Sequence, residues 1–366
     1  MAKKKPKPPE KKQDRPALFS PIGTVLASDE HWDSWTIPTR IPPLDHILGG
    51  GFACRRIAEI FGPPGCGKSA IGYLMAALVQ RIGGISVLVD SEGAFNREFY
   101  ASLGGDPKHL NIAGEMDADT VEMVYEFFVN NCKAYSEYGL DVPPMFMLWD
   151  SIAATPTKHL SETTLGKKDL SKSTAMSAGL QKLMPFVRSS NVCILGINQT
   201  YQMIGTYVPT ETTPGGDRWK FLSSQRVSMR YKPSDMLKDE DNNHIGQKVT
   251  ATVVKSRMGN PNQRCSLYFY TVTGAPHPTY KRETKFGFDF EESLFDYYTE
   301  GYFFLDDVKK ERPLKVHDSG WYTLHTSIET TEKKFRRADW LEKLEQYPQL
   351  KTLLYNDMDI DTESLV

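Results

Sequence analysis

The segment Phe61-Gly62-Pro63-Pro64-Gly65-Cys66-Gly67-Lys68-Ser69 constrains the fold more than any other part of the chain. It satisfies the pattern G-x-x-x-x-G-K-S, and both flanks supply the context the pattern needs. Residues 57–61 form a short apolar run with strand character. Ile71, Leu74, Met75, Leu78, Val79 and Ile82 then recur at helical spacing until Gly83-Gly84 ends the helix. A glycine-rich turn at a helix N-terminus curls its backbone N–H groups inward, where the helix adds partial positive charge. Gly62, Pro63, Pro64, Gly65, Cys66, Gly67, Lys68 and Ser69 are therefore a candidate nucleotide phosphate loop. In such a loop Lys68 reaches the β- and γ-phosphates and the Ser69 hydroxyl holds Mg²⁺.

From Ile41 to about Gly274 strand and helix patterns alternate. This predicts an α/β core with a largely parallel sheet flanked by helices. Residues 85–89, 145–149 and 192–197 are further buried strands, ending in Asp90-Ser91-Glu92, Asp150-Ser151 and Asn198-Gln199. Ligands of parallel sheets sit beyond the carboxyl ends of the strands, so these polar groups face the phosphate loop. Strands are expected around residues 226–232, 248–256 and 267–273, the last two antiparallel at the sheet edge. The core is expected to span residues 41–283. Residues 284–355 read as a small α+β domain, with Phe290, Leu294, Phe295 and Tyr298 on one helix and Trp340, Leu341 and Leu344 on another. Residues 1–40 combine a disordered, basic, proline-rich tail with an apolar segment that docks on its own domain or on a neighbouring copy. Residues 356–366 read as an acidic tail.

A net charge of −2 over 366 residues leaves any nucleic-acid surface to local clusters. Cys54, Cys66, Cys132, Cys193 and Cys265 are scattered without a C-x-x-C pair, so neither disulfides nor structural zinc are expected. No apolar stretch approaches the roughly 20 residues that span a bilayer, and the N-terminus lacks a signal-peptide core. A soluble, cytoplasmic protein is expected.

Within the site, Asp150 is the natural partner of Mg²⁺, directly or through water. Glu92 either polarises an attacking water or is an ordinary helix-entry acid. Gln199 either hydrogen-bonds the γ-phosphate and moves the segment that follows, or caps strand-end backbone. Two stretches resist the periodic pattern: residues 155–174, and residues 200–216, which are rich in Gly, Pro and Thr. The window 155–182 holds five lysines against two acids.

Taken in order, these blocks resemble the RecA recombinase family. The matching segments are the phosphate loop, Val89-Asp90-Ser91-Glu92-Gly93-Ala94-Phe95, Trp149-Asp150-Ser151-Ile152-Ala153-Ala154, Ile197-Asn198-Gln199, Glu211-Thr212-Thr213-Pro214-Gly215-Gly216 with Lys220-Phe221, and Val253-Val254-Lys255-Ser256-Arg257. The resemblance implies a RecA-like P-loop NTPase core binding ATP and Mg²⁺, the metal through Ser69 and Asp150. It implies Glu92 as catalytic acid/base beside Lys68, Gln199 as γ-phosphate sensor, and Phe99 or Tyr100 stacking on adenine. It makes residues 155–174 and 200–216 two DNA-binding loops along a filament axis. Ile204, between Met203 and Gly205, becomes the apolar wedge, and Gly215 and Gly216 contact the phosphate backbone.

The resemblance also implies that Lys255 and Arg257 reach a neighbouring subunit's ATP, and that Lys220 and Phe221 lie at the subunit interface. Thr174 and Gln181 stand where the family carries two arginines, which passes backbone contact to Lys167, Lys168 and Lys172. An apparent insertion at 131–144, a short N-terminal region and a loosely matching C-terminal domain point to a phage-encoded member acting in the host cytoplasm.

The implied function is a DNA-dependent ATPase that forms a helical filament on single-stranded DNA and exchanges strands with a homologous duplex. A single-strand-binding protein and a loading mediator are the further partners implied. The alternatives are a ring-forming replicative helicase on the same core and a mediator that binds nucleotide without significant hydrolysis. The Lys333-Lys334-Phe335-Arg336-Arg337 cluster either gathers duplex DNA or is a solvated charged surface.

Overall fold

The computed structural model describes residues 35–114, 118–162, 171–202, 211–259, 261–300, 314–324 and 334–357. A short ribbon, β1 (Thr36–Ile37) with β2 (Phe52–Ala53), brackets the helix Pro42–Leu48. The strand β3 (Arg56–Phe61) then leads through the phosphate loop into the helix Lys68–Arg81. β4 (Ile85–Asp90), β5 (Leu110–Ile112), β6 (Met145–Asp150) and β7 (Val192–Asn198) follow as parallel strands, with the helices Val121–Ser136 and Ser171–Ser189 in the connections. β8 (Tyr201–Gln202) pairs with β9 (Glu211–Thr212) in a ribbon of its own, and the helix Gly216–Leu222 precedes β10 (Gln225–Arg230). β11 (Met236–Lys238), β12 (His244–Ser256), β13 (Arg264–Tyr270) and β14 (Gly287–Asp289) are antiparallel additions.

The sheet order is β14-β13-β12-β10-β3-β7-β6-β4-β5, with β11 on β12. β3 is central, and β10 joins it in parallel while turning its other edge to antiparallel β12. Period-two burial on both faces makes a three-layer core. Ala58, Ile60, Phe146, Leu148, Cys193 and Leu195 pack with Ile71, Leu74 and Leu78 of the helix Lys68–Arg81. Their alternates Ile57, Met147, Trp149, Val192 and Ile194 pack with Val124, Phe128, Leu180 and Leu183 on the opposite face.

Of the described residues in the polar stretch expected to be irregular after Asp150, Lys158–Glu162 and those from Ser171 onward are helical, while residues 155–157 are not. Thr157 accepts from the Leu160 N–H at 3.2 Å and meets the Ser171 hydroxyl at 2.8 Å, capping Lys158–Glu162 and tying it to the start of Ser171–Ser189. Local side-chain caps outweighed the missing apolar period. Beyond β14, the helix Phe290–Glu300 packs with Trp340, Leu344, Leu350 and Leu354 near the three-stranded sheet β15 (Leu314–His317), β16 (Trp321–Leu324) and β17 (Phe335–Arg336). Arg337 turns into this unit, pairing with Glu292 at 3.1 Å and Asp296 at 2.9 Å, while Arg336 lies 4.1 Å over Trp321. Among the described residues no helix is long and apolar enough to cross a membrane.

Candidate nucleotide and nucleic-acid site

The phosphate loop begins where β3 ends and closes as Gly67 caps the helix Lys68–Arg81. Gly65 and Gly67 hold φ of 79° and 81°, a region that side chains avoid. A Cβ on Gly67 would also lie 2.6 Å from Phe288 and 2.9 Å from Phe269. Lys68 is buried, its Nζ donating to the Pro63 carbonyl at 2.7 Å and lying 3.9 Å from Cys66 Sγ. The Cys66 thiol donates to the same carbonyl at 3.0 Å. Burial pushes the thiol's pKa up against the opposing pull of Lys68, so Cys66 is held as an unreactive thiol.

At the ends of the neighbouring strands, Asp90 and Asp150 are register partners. The Asp150 carboxylate is hydrogen-bonded by Ser69 and buried enough to push its pKa up to about 6, with Glu92 and Asp90 raising it further and Ser69 and Lys68 opposing. A buried carboxylate joined to a hydroxyl, in a field that disfavours its charge, is a hard-oxygen pair suited to Mg²⁺. Asp90 instead accepts from the Ala94 and Phe95 N–H groups at 3.2 and 2.9 Å and shapes the turn carrying Glu92.

Glu92 is not a helix-entry acid. The next helix starts at Arg97 and is capped by Asn96, which accepts from Phe99 N–H at 2.8 Å. Glu92 Oε1 accepts from the Ser151 hydroxyl at 2.5 Å and from Gln199 Nε2 at 3.1 Å, so β4, β6 and β7 meet on one exposed carboxylate. The strand-end capping considered for Gln199 is performed by Asn198. Its amide donates to Pro214 O at 2.9 Å and to Glu59 Oε1 at 2.8 Å. Glu59, fully buried on β3, takes Arg226 Nε on its other oxygen at 2.5 Å, and Arg226 reaches Thr213 at 3.5 Å. One buried carboxylate thus ties the phosphate-loop strand to β7, to β10 and to the segment Thr213–Pro214.

Lys220 donates to Thr212 at 2.8 Å. Lys255 Nζ donates to the carbonyls of Lys220 and Phe221 at 2.8 and 2.6 Å, and Arg257 to that of Phe221 at 3.1 Å. The basic pair therefore caps the C-terminus of the helix Gly216–Leu222 and abuts Phe221, whose ring is 69% exposed. Desolvation, then repulsion from Arg257 and Arg226, pushes the Lys255 pKa down. Gly215 and Gly216, at φ of 103° and 74°, start that helix, Gly215 against Met176 and Gly216 against Ser173, and Lys172 Nζ donates to Ala153 O at 3.0 Å. Tyr100 is fully buried against Tyr73 and Phe95, whereas half-buried Phe99 packs edge-on to exposed Phe286, centroids 4.6 Å apart. Lys167, Lys168, Met203, Ile204, Gly205, Lys333 and the N- and C-terminal tails, residues 1–34 and 358–366, lie outside the described residues.

The RecA N-terminal domain family model matches residues 23–275. The chain belongs to the RecA family. It is 33% identical over 245 residues to the RecA protein of Thermus aquaticus, covering 65% of this chain and 67% of that one. It is 29% identical over 258 residues to the RecA protein of Borrelia duttonii, covering 70% and 66%. The matches thus span about two thirds of these curated relatives' length. A crystal structure of the RadB recombinase aligns with a TM-score of 0.46 at 20% identity, covering 64% of this chain and 96% of that one.

Within this RecA-family chain, sequence reasoning passed over Glu59, Arg226 and Phe286, and named Ser151 and Asn198 as strand-end polar groups without a role of their own. One signal was present. Glu59 is a lone charge in the apolar run 57–61, and a buried charge requires a partner.

Proposed function

We propose that this chain is an ATPase that assembles on single-stranded DNA and pairs it with a homologous duplex. The observation that supports it most is the Ser151–Glu92–Gln199 contact beside the Ser69–Asp150 pair at the mouth of the phosphate loop. Lys68 trades its Pro63 carbonyl for phosphate oxygens. Glu92, fixed by Ser151, accepts the proton of the attacking water. Mg²⁺ held by Ser69 and Asp150 would neutralise charge on the phosphates. The Phe99 and Phe286 rings form an apolar edge for the base.

Gln199 carries two amide hydrogens, one of which reaches Glu92, leaving the other to sense a γ-phosphate. Its neighbour Asn198 is bonded to Pro214, so displacement of Gln199 pulls on the segment preceding Gly215 and Gly216. Half-buried Lys255 forms one corner with exposed Arg257 and Phe221, suited to a neighbouring copy's nucleotide. The reading is tested by ATP turnover with and without single-stranded DNA, by displacement-loop formation on a homologous duplex, and by electron microscopy with a non-hydrolysable ATP analogue. Stimulated turnover, joint molecules and continuous helical filaments are expected. Closed rings that unwind duplex would overturn it in favour of a helicase, and nucleotide binding without turnover in favour of a mediator.

A further inference from the structure

We infer that Gln247, on β12, is a positioning residue of the phosphate loop, holding the Gly65–Cys66 peptide in the orientation that presents its N–H to a phosphate. The inference rests on the reading of residues 62–69 as a nucleotide site and extends it to the antiparallel edge of the sheet.

Gln247 is 3% exposed, and its Nε2 donates to the Gly65 carbonyl across 182 residues of sequence. A peptide unit is planar and trans, so its carbonyl and N–H point in opposite directions. With the Gly65 carbonyl turned to β12, the Cys66 N–H is directed away from that strand and across the loop. At φ of 79°, Gly65 has no side chain to fix this plane, and glycine rotates freely enough to lose it. The hydrogen bond supplies what the residue type cannot.

The edge strands touch the loop elsewhere as well. Phe269, the register partner of Gln247 on β13, and Phe288 on β14 close against Gly67. Tyr231, following β10, sets its hydroxyl 3.4 Å from the Pro64 carbonyl. The antiparallel edge strands, with the residue that follows β10, thus form one wall of the loop. Gln247 is itself held in register on both sides, opposite Met236 of β11 and Phe269 of β13, so its amide is placed by the sheet rather than by a flexible segment. A donor held that rigidly sets the loop's shape before any ligand arrives, which lowers the ordering cost of binding.

The test is the affinity of the full-length protein for a fluorescent adenine nucleotide, with steady-state turnover and denaturation midpoints alongside. Gln247→Met keeps the length and removes the donor; Gln247→Asn keeps the amide and shortens its reach. Both should bind nucleotide about five- to tenfold more weakly, the usual worth of one buried hydrogen bond. KM should rise in step while kcat at saturation stays at the parent value, because the loop grips phosphates equally before and during reaction. Parental affinity in either variant, if folded, overturns the inference, as does a fall in kcat with unchanged KM. Failure of the unsubstituted protein to bind nucleotide, or binding that survives Lys68→Ala unchanged, would instead sink the nucleotide-site reading itself.

Discussion

Asp150 should hold function at the expense of stability, and Asp150→Asn exposes the exchange. Burial comes first among the causes that raise its pKa from 3.8 to about 6. The native state therefore binds this proton more tightly than the unfolded chain does. The resulting stability is fully present below 3.8 and is lost as pH rises through about 6. At about 1.4 kcal/mol per pKa unit, the charged carboxylate costs the fold about 3 kcal/mol at pH 8 and about half of that at pH 5. An amide carries no charge and still accepts from Ser69. Asp150→Asn should thus raise the unfolding free energy by up to about 3 kcal/mol at pH 8, with a gain that shrinks towards pH 5. Urea denaturation followed by circular dichroism across that range measures it. Mg²⁺-dependent nucleotide affinity should fall in the same variant. Equal or lower stability at pH 8 would refute the argument that a desolvated charge is stored here for the metal.

Glu92→Gln should still bind ATP and DNA, yet lose about two or more orders of magnitude in turnover, measured as phosphate release with DNA present; an unchanged rate would remove Glu92 from the chemistry. Glu59→Gln leaves the Arg226 charge buried without its partner and should cost about 3 kcal/mol or more, whereas Glu59→Gln combined with Arg226→Met should cost less than the single change. A double-mutant cycle by denaturation checks that sign. Phe99→Ala and Phe286→Ala should each weaken adenine nucleotide binding about three- to tenfold with the fold intact, as expected for an aromatic contact. Tyr100→Ala should instead destabilise the fold by about 3 kcal/mol or more through loss of a packed ring, which thermal denaturation distinguishes from a binding defect.

The parallel core was legible because its strands are buried on both faces and read as near-continuous apolar runs: residues 57–61, interrupted by Glu59, and residues 145–149 and 192–197 all became sheet strands. The phosphate loop was legible because its glycines, lysine and serine are adjacent in the chain. The network under it was not. Glu59 finds Asn198 and Arg226 at separations of 139 and 167 residues, and no local pattern encodes such pairings. Glu92 was ambiguous for a related reason: the Ser151 and Gln199 side chains that set it apart from a helix cap are brought to it from the ends of two other strands. The short helix Lys158–Glu162 was missed because it buries no side chain and rests on the Thr157 cap rather than on apolar spacing.

In the proposed function, the nucleotide at this mouth governs the segment rooted at Pro214. Fluorescence anisotropy of a labelled single-stranded oligonucleotide, titrated at one fixed salt concentration with a non-hydrolysable ATP analogue and then with ADP, tests it most directly. Affinity at least about tenfold higher is expected with the triphosphate analogue; equal affinities in the two nucleotide states would refute nucleotide control of that segment.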